Sequence, residues 1–280
     1  MPRIAVVTDS TADFAGVNPA ELGITIVPLT VNWGRDVLRD RIDITTSEFY
    51  TRLRTDIVPP KTAAPPVGIF EDVYRNLLAS FDSVISVHIA SKWSATWNVA
   101  RGAANTLDPE RVFVVDSTST SVRLGWVAQR AAELAADDAP PDEIIRTLGG
   151  VIPRVRLYLT LETLEYLRRG GRIGRARAFL GGLLSVKPIL ELRDGEVHPI
   201  QQVRTRPASL RRIQELAQEI GATEQMAVVH GDCTEEARGV RDHIAHGRDT
   251  ASIPIVEIGA VMATYAGPGI VGVGCLVEGS

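Results

Sequence analysis

Residues 4–11 read Ile-Ala-Val-Val-Thr-Asp-Ser-Thr. Four consecutive apolar residues, three of them β-branched, describe a strand covered on both faces, as in a parallel sheet flanked by helices. The strand then runs straight into a loop rich in hydroxyls. The same unit recurs twice. Residues 84–89 lead into Ser91-Lys92-Trp93-Ser94-Ala95-Thr96, and residues 112–115 stop at Asp116-Ser117-Thr118-Ser119-Thr120. Helical spacing fills the intervals at 47–54 (with Ser47 as cap), 67–78, 95–106, 124–135 and 142–148. Residues 24–31 repeat the strand signal, and 61–66 read as a loop. Alternating strands and helices imply an α/β layer on a parallel sheet.

After about residue 154 the rhythm changes. Strand 155–161 precedes a helix over 162–169, closed by Gly170-Gly171, and a second helix over 175–184. Residues 187–192 and 197–204 flank Asp194-Gly195, a hairpin signal. Helices follow at 208–220 and 235–245 around a strand at 226–229. Strands 255–258 and 270–277, joined through residues 263–269, close the chain. The expectation is α/β with two domains: a parallel-sheet domain over 1–154 and a mixed-sheet domain over 155–280.

Composition narrows the class. The chain has 280 residues, 30 Lys+Arg against 34 Asp+Glu, and a formal net charge of -4. That excludes a strongly basic nucleic-acid binder. At 45% hydrophobic content, intrinsic disorder is excluded too. No apolar run reaches the ~18 residues of a membrane span, and residues 1–7 lack the order of a signal peptide. Cys233 and Cys275 are too few for a disulfide scaffold or a zinc site. A cytoplasmic monomer without stable membrane insertion is expected.

Three hydroxyl-rich loops at the carboxyl ends of parallel strands gather on one edge, where ligands bind in α/β sheets. Taken singly, each Ser, Thr or Asp is a helix cap. Together, Asp9, Ser10, Thr11, Ser91, Ser94 and Ser117 mark a candidate site. Arg168, Arg169, Arg172, Arg175 and Arg177 form the densest basic cluster, read either as a solvated face or as a docking or phosphate patch. Gly267-Pro268-Gly269 is a rigid turn. The strand at residues 4–7 is not followed by Gly-x-Gly-x-x-Gly, and no Walker-type loop or Gly-x-Ser-x-Gly elbow occurs. His88 reads as a satisfied core histidine, and His243 with His246 lacks a third metal ligand.

These segments together resemble the DegV family of bacterial fatty-acid-binding proteins. Val7–Asp13 (Val-Thr-Asp-Ser-Thr-Ala-Asp) looks like its N-terminal motif. Thr62-Ala63-Ala64-Pro65 is similar to its Thr-Ser-Gln-Pro loop. Ala90 to Trp97 resembles Ser-Ser-x-Leu-Ser-Gly-Thr-Tyr. Thr163 to Ile173 (Thr-Leu-Glu-Tyr-Leu-Arg-Arg-Gly-Gly-Arg-Ile) matches its most distinctive stretch, and Lys187-Pro188-Ile189-Leu190 follows in order. Ala263 to Gly269 resembles Gly-Thr-His-x-Gly-Pro-Gly.

The resemblance implies two domains with one long-chain fatty acid buried between them. It implies no cofactor and no catalysis by this chain: a separate ATP-dependent fatty acid kinase subunit phosphorylates the presented carboxylate. By position, Thr62, Ser94 and Ser91 would bind the carboxylate, and Arg169 and Arg172 would serve the headgroup or kinase docking. Tyr265 stands where the family has a carboxylate-binding histidine. Ala63, Ala64, Ala90, Ala95 and Ala263 also replace polar residues or glycine. The competing readings are a self-sufficient enzyme acting on a small carboxylate or phosphoryl substrate, and an acyl-sensing regulator.

Overall fold

In a computed structural model, which describes residues 3–180, 186–245 and 249–279, the three apolar runs do form parallel strands ending on one edge. The first part of the chain is β1 (Ile4–Asp9), β2 (Ile24–Val27), β3 (Thr30–Trp33), β4 (Asp36–Arg39), α1 (Thr46–Thr55), β5 (Lys61–Ala63), α2 (Val67–Leu78), β6 (Ser83–His88), α3 (Thr96–Leu107), β7 (Val112–Asp116), α4 (Val122–Ala136) and α5 (Pro141–Val151). The remainder is β8 (Val155–Thr160), α6 (Glu165–Arg169), β9 (Lys187–Arg193), β10 (Glu196–Val203), α7 (Arg206–Glu219), β11 (Thr223–His230), α8 (Thr234–Ala245), β12 (Ile255–Glu257), α9 (Ala260–Ala266) and β13 (Val271–Val277). The four-stranded sheet, in the order β2-β1-β6-β7, is wholly parallel. The six-stranded sheet, in the order β10-β9-β8-β13-β11-β12, is mixed. A small antiparallel sheet, β4-β3-β5, stands beside them.

The elements stack in layers. Helices α2 and α3 cover the outer face of the parallel sheet, with Phe70 and Tyr74 packed on Ala5, Val7 and Val84. Helices α7 and α8 cover the outer face of the mixed sheet, with Ile213 and Val240 near Val228 and Val273. The inner faces share one core that runs from Ile4 to Leu276. Helix α4 lies in that core, touching β1 and β6 on one side and β8 and β13 on the other. Its sequence Leu-Gly-Trp-Val-Ala (124–128) carries no charge, and all five residues are buried. A stretch of helix apolar on every side belongs in an interior, while Arg130 and Glu133 farther along reach solvent.

Several expectations need correction. Residues 24–31 are two strands in different sheets. Pro28 has no N–H for a ladder, and at Leu29 the backbone N–H turns to the Ser10 hydroxyl at 3.1 Å. Residues 61–63, expected as loop, pair with β3. Thr45 rather than Ser47 caps α1, because Glu48 completes a capping box with it. Helix α6 begins at Glu165, after Thr163 accepts a hydrogen bond from the Glu165 N–H. The expected helix over 175–184 is a 3-10 turn, Gly174–Phe179; residues 181–184 lie outside the described residues, as does His246. The segment before Gly267 is helix α9, not a turn. The two closing strands are not neighbours, since β11 separates them. Among the described residues, no helix is long and apolar enough to cross a membrane.

Buried Arg123 on α4 joins the two parts of the chain: one Nη donates to the Leu192 carbonyl at 2.6 Å, while Nε has no partner. Burial pulls its pKa down to about 10. Arg123→Met should leave thermal stability near wild type, because lost polar contact and relieved desolvation offset each other. Arg123→Ala should cost about 2–5 kcal/mol through the void it leaves. A Met variant melting as low as the Ala variant would show instead that the single hydrogen bond carries the junction.

Candidate functional site

Two spaces meet between the sheets. The first is an apolar cavity of about 60 Å³, walled by Leu159, Leu190 and Leu192 from the mixed sheet, by Leu161 directly after β8, and by Val261 and Met262 from α9. The second, of about 390 Å³, opens to solvent and is lined by Thr62, Lys61, Tyr166 and Arg169. Tyr265 and Arg172 line both. They therefore form the partition between a greasy interior and a polar mouth.

The partition is assembled from distant segments. Strand β5 carries Thr62 opposite Val31 of β3. Helix α9 presents Tyr265, whose hydroxyl lies 2.5 Å from Thr62 Oγ1. The Arg172 guanidinium sits 5.1 Å from the Tyr265 ring centroid, a cation–π distance. It is held there by hydrogen bonds to the carbonyls of Trp93 at 3.1 Å and Gly170 at 2.7 Å. Trp93 in turn lines the cavity.

Two glycines let α6 and α9 approach. A Cβ on Gly170 would collide with the edge of the Tyr265 ring, and one on Gly267 with the edge of the Tyr166 ring. Gly267 also ends α9 at φ +71°, a conformation costly for other residues. The Arg-Arg-Gly-Gly and Gly-Pro-Gly stretches thus serve one joint, each leaving room for the other's tyrosine. Gly269 then donates its N–H to the Gly231 carbonyl at 2.8 Å, and Pro268 stands between the two glycines.

The remaining basic residues are partly engaged. Arg168 and Arg169 both donate to Glu165, and these bonds, Arg168 first, hold the Glu165 carboxyl down at about 2. Arg175 pairs with Glu196 at 3.1 Å. Arg169 is 59% exposed and faces the mouth, so its outer side remains open to a partner.

The strand-end hydroxyls behave differently. Asp9, Ser10, Thr11 and Ser117 are buried, and none lines the cavity or the mouth. Asp9 accepts from the N–H of Thr11 at 3.0 Å and of Ile89 at 2.9 Å. Ser117 donates to the His88 carbonyl at 2.7 Å. These groups brace the edge rather than face a ligand. Ser94 Oγ accepts from the Thr96 N–H at 3.2 Å and pairs with the Thr96 hydroxyl at 2.8 Å. The Ser91 N–H points to the Asp116 carboxylate. Of the four residues expected at the carboxylate, the structure brings Thr62 and Tyr265 together and leaves Ser91 and Ser94 on the neighbouring loop.

One arrangement imitates a catalytic relay. Ser86 Oγ lies 2.7 Å from His88 Nε2, and His88 Nδ1 lies 3.0 Å from Asp9 Oδ2. Tyr74 joins through Ser86 at 2.8 Å. A neutral imidazole satisfies every member: Tyr74 donates to Ser86, Ser86 to Nε2, and Nδ1–H to Asp9. Ser86, His88 and Asp9 all have 0% exposure. The chain is a sealed structural network, as expected for His88. No metal-holding cluster of His, Cys, Asp and Glu occurs among the described residues.

Sequence reasoning missed Tyr166, Trp93 and the cavity wall. Tyr166 and Trp93 sat inside the quoted motifs without an assigned role. The wall residues gave no signal, because a strand apolar on both faces hides which face borders a cavity.

The model of the DegV family matches residues 3–278. Protein DegV of Bacillus subtilis is 35% identical over 97% of this chain and 98% of its own. A solved structure of DegV, a fatty acid binding protein from Bacillus subtilis, has a TM-score of 0.90 at 33% identity, covering 99% of this chain and 100% of that one. A fatty-acid-binding DegV family protein from Thermus thermophilus has a TM-score of 0.91 at 32% identity, with the same coverage. A stearic-acid-binding protein from Eubacterium ventriosum has a TM-score of 0.86 at 27% identity, covering 99% of this chain and 98% of that one.

The glycine–tyrosine joint predicts a coupled pair of variants. Gly170→Ala should destabilise by about 1–3 kcal/mol through overpacking. Adding Tyr265→Leu should recover part of that loss, so the double variant is less damaged than the sum of the singles. Additive effects in chemical denaturation would refute the contact.

Proposed function

The chain belongs to the DegV family, and we propose that it binds one long-chain fatty acid, with the acyl chain in the apolar cavity and the carboxylate at the Thr62–Tyr265 pair. The observation that carries this reading is the partition: one tyrosine hydroxyl and one guanidinium stand where an apolar interior meets a polar mouth. The relatives described as fatty acid binding proteins support the ligand class.

The energetics suit an amphiphile. Burial contributes about 0.8 kcal/mol per methylene, so ~14 methylenes give roughly 11 kcal/mol before the costs of ordering. A carboxylate at the partition must be met by donors, since a buried unpaired charge costs several kcal/mol. The Thr62 and Tyr265 hydroxyls can donate, and Ser94, on the loop that also carries Trp93, is a third donor after rotation away from Thr96. Arg172 adds a cation without moving, because two carbonyls and a ring already fix it. A tyrosine in place of a histidine offers a hydroxyl donor.

The further step belongs to the same proposal. The protein is a non-catalytic carrier, with no cofactor of its own, that presents the carboxylate through the mouth to an ATP-dependent kinase subunit. Arg169 supplies part of the docking surface. The domains are 1–154 and 155–280, with the ligand between them, and the carrier works as a cytoplasmic monomer. The competing reading of a self-sufficient enzyme on a small carboxylate or phosphoryl substrate finds no support in the Ser86–His88–Asp9 chain, whose three members are fully buried.

Native mass spectrometry of protein purified from a bacterial host should reveal a bound mass matching a fatty acid; an empty protein that also fails to take up added fatty acid would refute the reading. Thr62→Val and Tyr265→Phe should each weaken displacement of a fluorescent fatty acid about 5- to 30-fold, the equivalent of roughly 1–2 kcal/mol. Unchanged affinity in both would remove the carboxylate from this pair. Arg169→Ala should keep fatty-acid affinity while lowering acyl-phosphate formation with the kinase. Normal phosphorylation would leave Arg169 as a solvated residue.

A further inference from the structure

Helix α9 is more than the bearer of Tyr265. Val261, Met262, Tyr265 and Ala266 all line the apolar cavity, and Thr264 with Tyr265 lines the mouth. The helix is therefore the wall between them. It is fastened to the small β4-β3-β5 sheet at two points. One is the Thr62–Tyr265 pair. The other lies at the opposite end, where Asp40, directly after β4, accepts the Ala260 N–H on Oδ1 at 3.0 Å.

The second fastening is chemically unbalanced. Asp40 is 1% exposed, and although the Ser10 hydroxyl lies near its carboxyl, its Oδ2 makes no hydrogen bond of proper geometry. Arg41 is the adjacent cation, but its guanidinium is committed to Asp13 and to the Ser10 carbonyl at 3.3 Å. Asp13 has both oxygens filled, the second by the Ser121 hydroxyl at 2.5 Å. Glu257, on the strand leading into α9, also faces Arg41. Asp13 and Asp40 thus share one guanidinium, and Asp40 is the less well served.

Resting on the fatty-acid reading above, we infer that Asp40 is a positioning residue for α9: its buried carboxyl holds the helix against the small sheet when neutral and loosens it when ionised. The direction follows from linkage. Burial, opposed by Arg41 and the Ser10 hydroxyl and reinforced by Asp13, raises the Asp40 pKa from 3.8 to about 6. When the junction opens, the carboxyl regains water and its ordinary value. A proton is therefore bound more tightly in the closed junction, so closure strengthens as pH falls through 6 and weakens as pH rises. The effect saturates below the ordinary value and above about 6. Roughly two units of difference allow a change in the opening equilibrium approaching 100-fold.

The test uses a ligand that does not titrate. Dissociation of a pyrene-labelled long-chain alcohol from the full chain is followed between pH 4.5 and 7.5. Wild type should release it faster as pH rises, over tens of fold, reaching a plateau above pH 6. Asp40→Asn, neutral throughout and still able to accept from Ala260, should release slowly at every pH. A wild-type rate independent of pH, or a variant that follows the wild-type profile, overturns the inference. So does a variant that releases faster everywhere, which would mean that the charge itself holds the helix. Hydrogen exchange of the amides of residues 260–266, corrected for intrinsic rates, gives a ligand-free readout on wild type alone. Their protection should fall between pH 4.5 and 6, and flat protection overturns the inference. Failure of any lipid probe to bind would instead refute the fatty-acid reading, leaving the exchange result to decide on Asp40.

Discussion

The structure depends on a helix whose first half is buried on every side. Helix α4 lies between two sheets, touching the parallel sheet on one side and the mixed sheet on the other. Packed helix and sheet layers stand about 10 Å apart, so α4 keeps the sheets two layers apart. Where α4 ends, the gap must be filled by something else. The chain supplies α9, seven residues long with two valine-sized or larger aliphatic side chains, Val261 and Met262, among its alanines. So slight a helix leaves space beside it. The apolar cavity is the consequence of two layers held apart by a large helix and only partly filled by a small one.

The polar groups obey a stricter accounting. The loops at the parallel edge carry many hydroxyls, yet the buried ones bond to each other and to main-chain groups, as buried polar atoms must. Asp9 ties the first loop to the end of β6, and Ser117 ties the third loop to the same strand. That rigid edge supports the Trp93 loop, whose carbonyl fixes Arg172, whose guanidinium rests on the Tyr265 ring. The braced edge on one side of the partition contrasts with the cluster on the other, where the buried carboxyls of Asp13 and Asp40 face one Arg41 guanidinium.

The sequence by itself determined a large share of this. Apolar runs without alternation identified the buried parallel strands, and helical spacing located α2 to its ends. Asp194-Gly195 marked the β9–β10 hairpin, because such signals act through the local backbone. The gathering of three strand ends on one edge followed from parallel connectivity alone. The resemblance carried by Thr62, the Arg-Arg-Gly-Gly stretch and the Gly-Pro-Gly turn pointed to the family and to a residue pair on the partition. The errors also had local causes: Pro28 broke a strand that looked continuous, and α9 was concealed by the turn residues that end it.

Only the tertiary structure decided which polar residues remain available. Ser94, Ser117 and Thr62 look alike in sequence, each a hydroxyl in a short loop. Ser117 is consumed by a strand end 29 residues away and Ser94 by its own helix, while Thr62 meets Tyr265 across 203 residues. Hydrogen-bond saturation depends on neighbours brought together by packing, and no local pattern encodes it. The same holds for Gly170, whose missing side chain matters because a ring from α9 occupies the space. It holds for Asp40 too, whose second oxygen makes no hydrogen bond while the adjacent Arg41 guanidinium is bonded to Asp13.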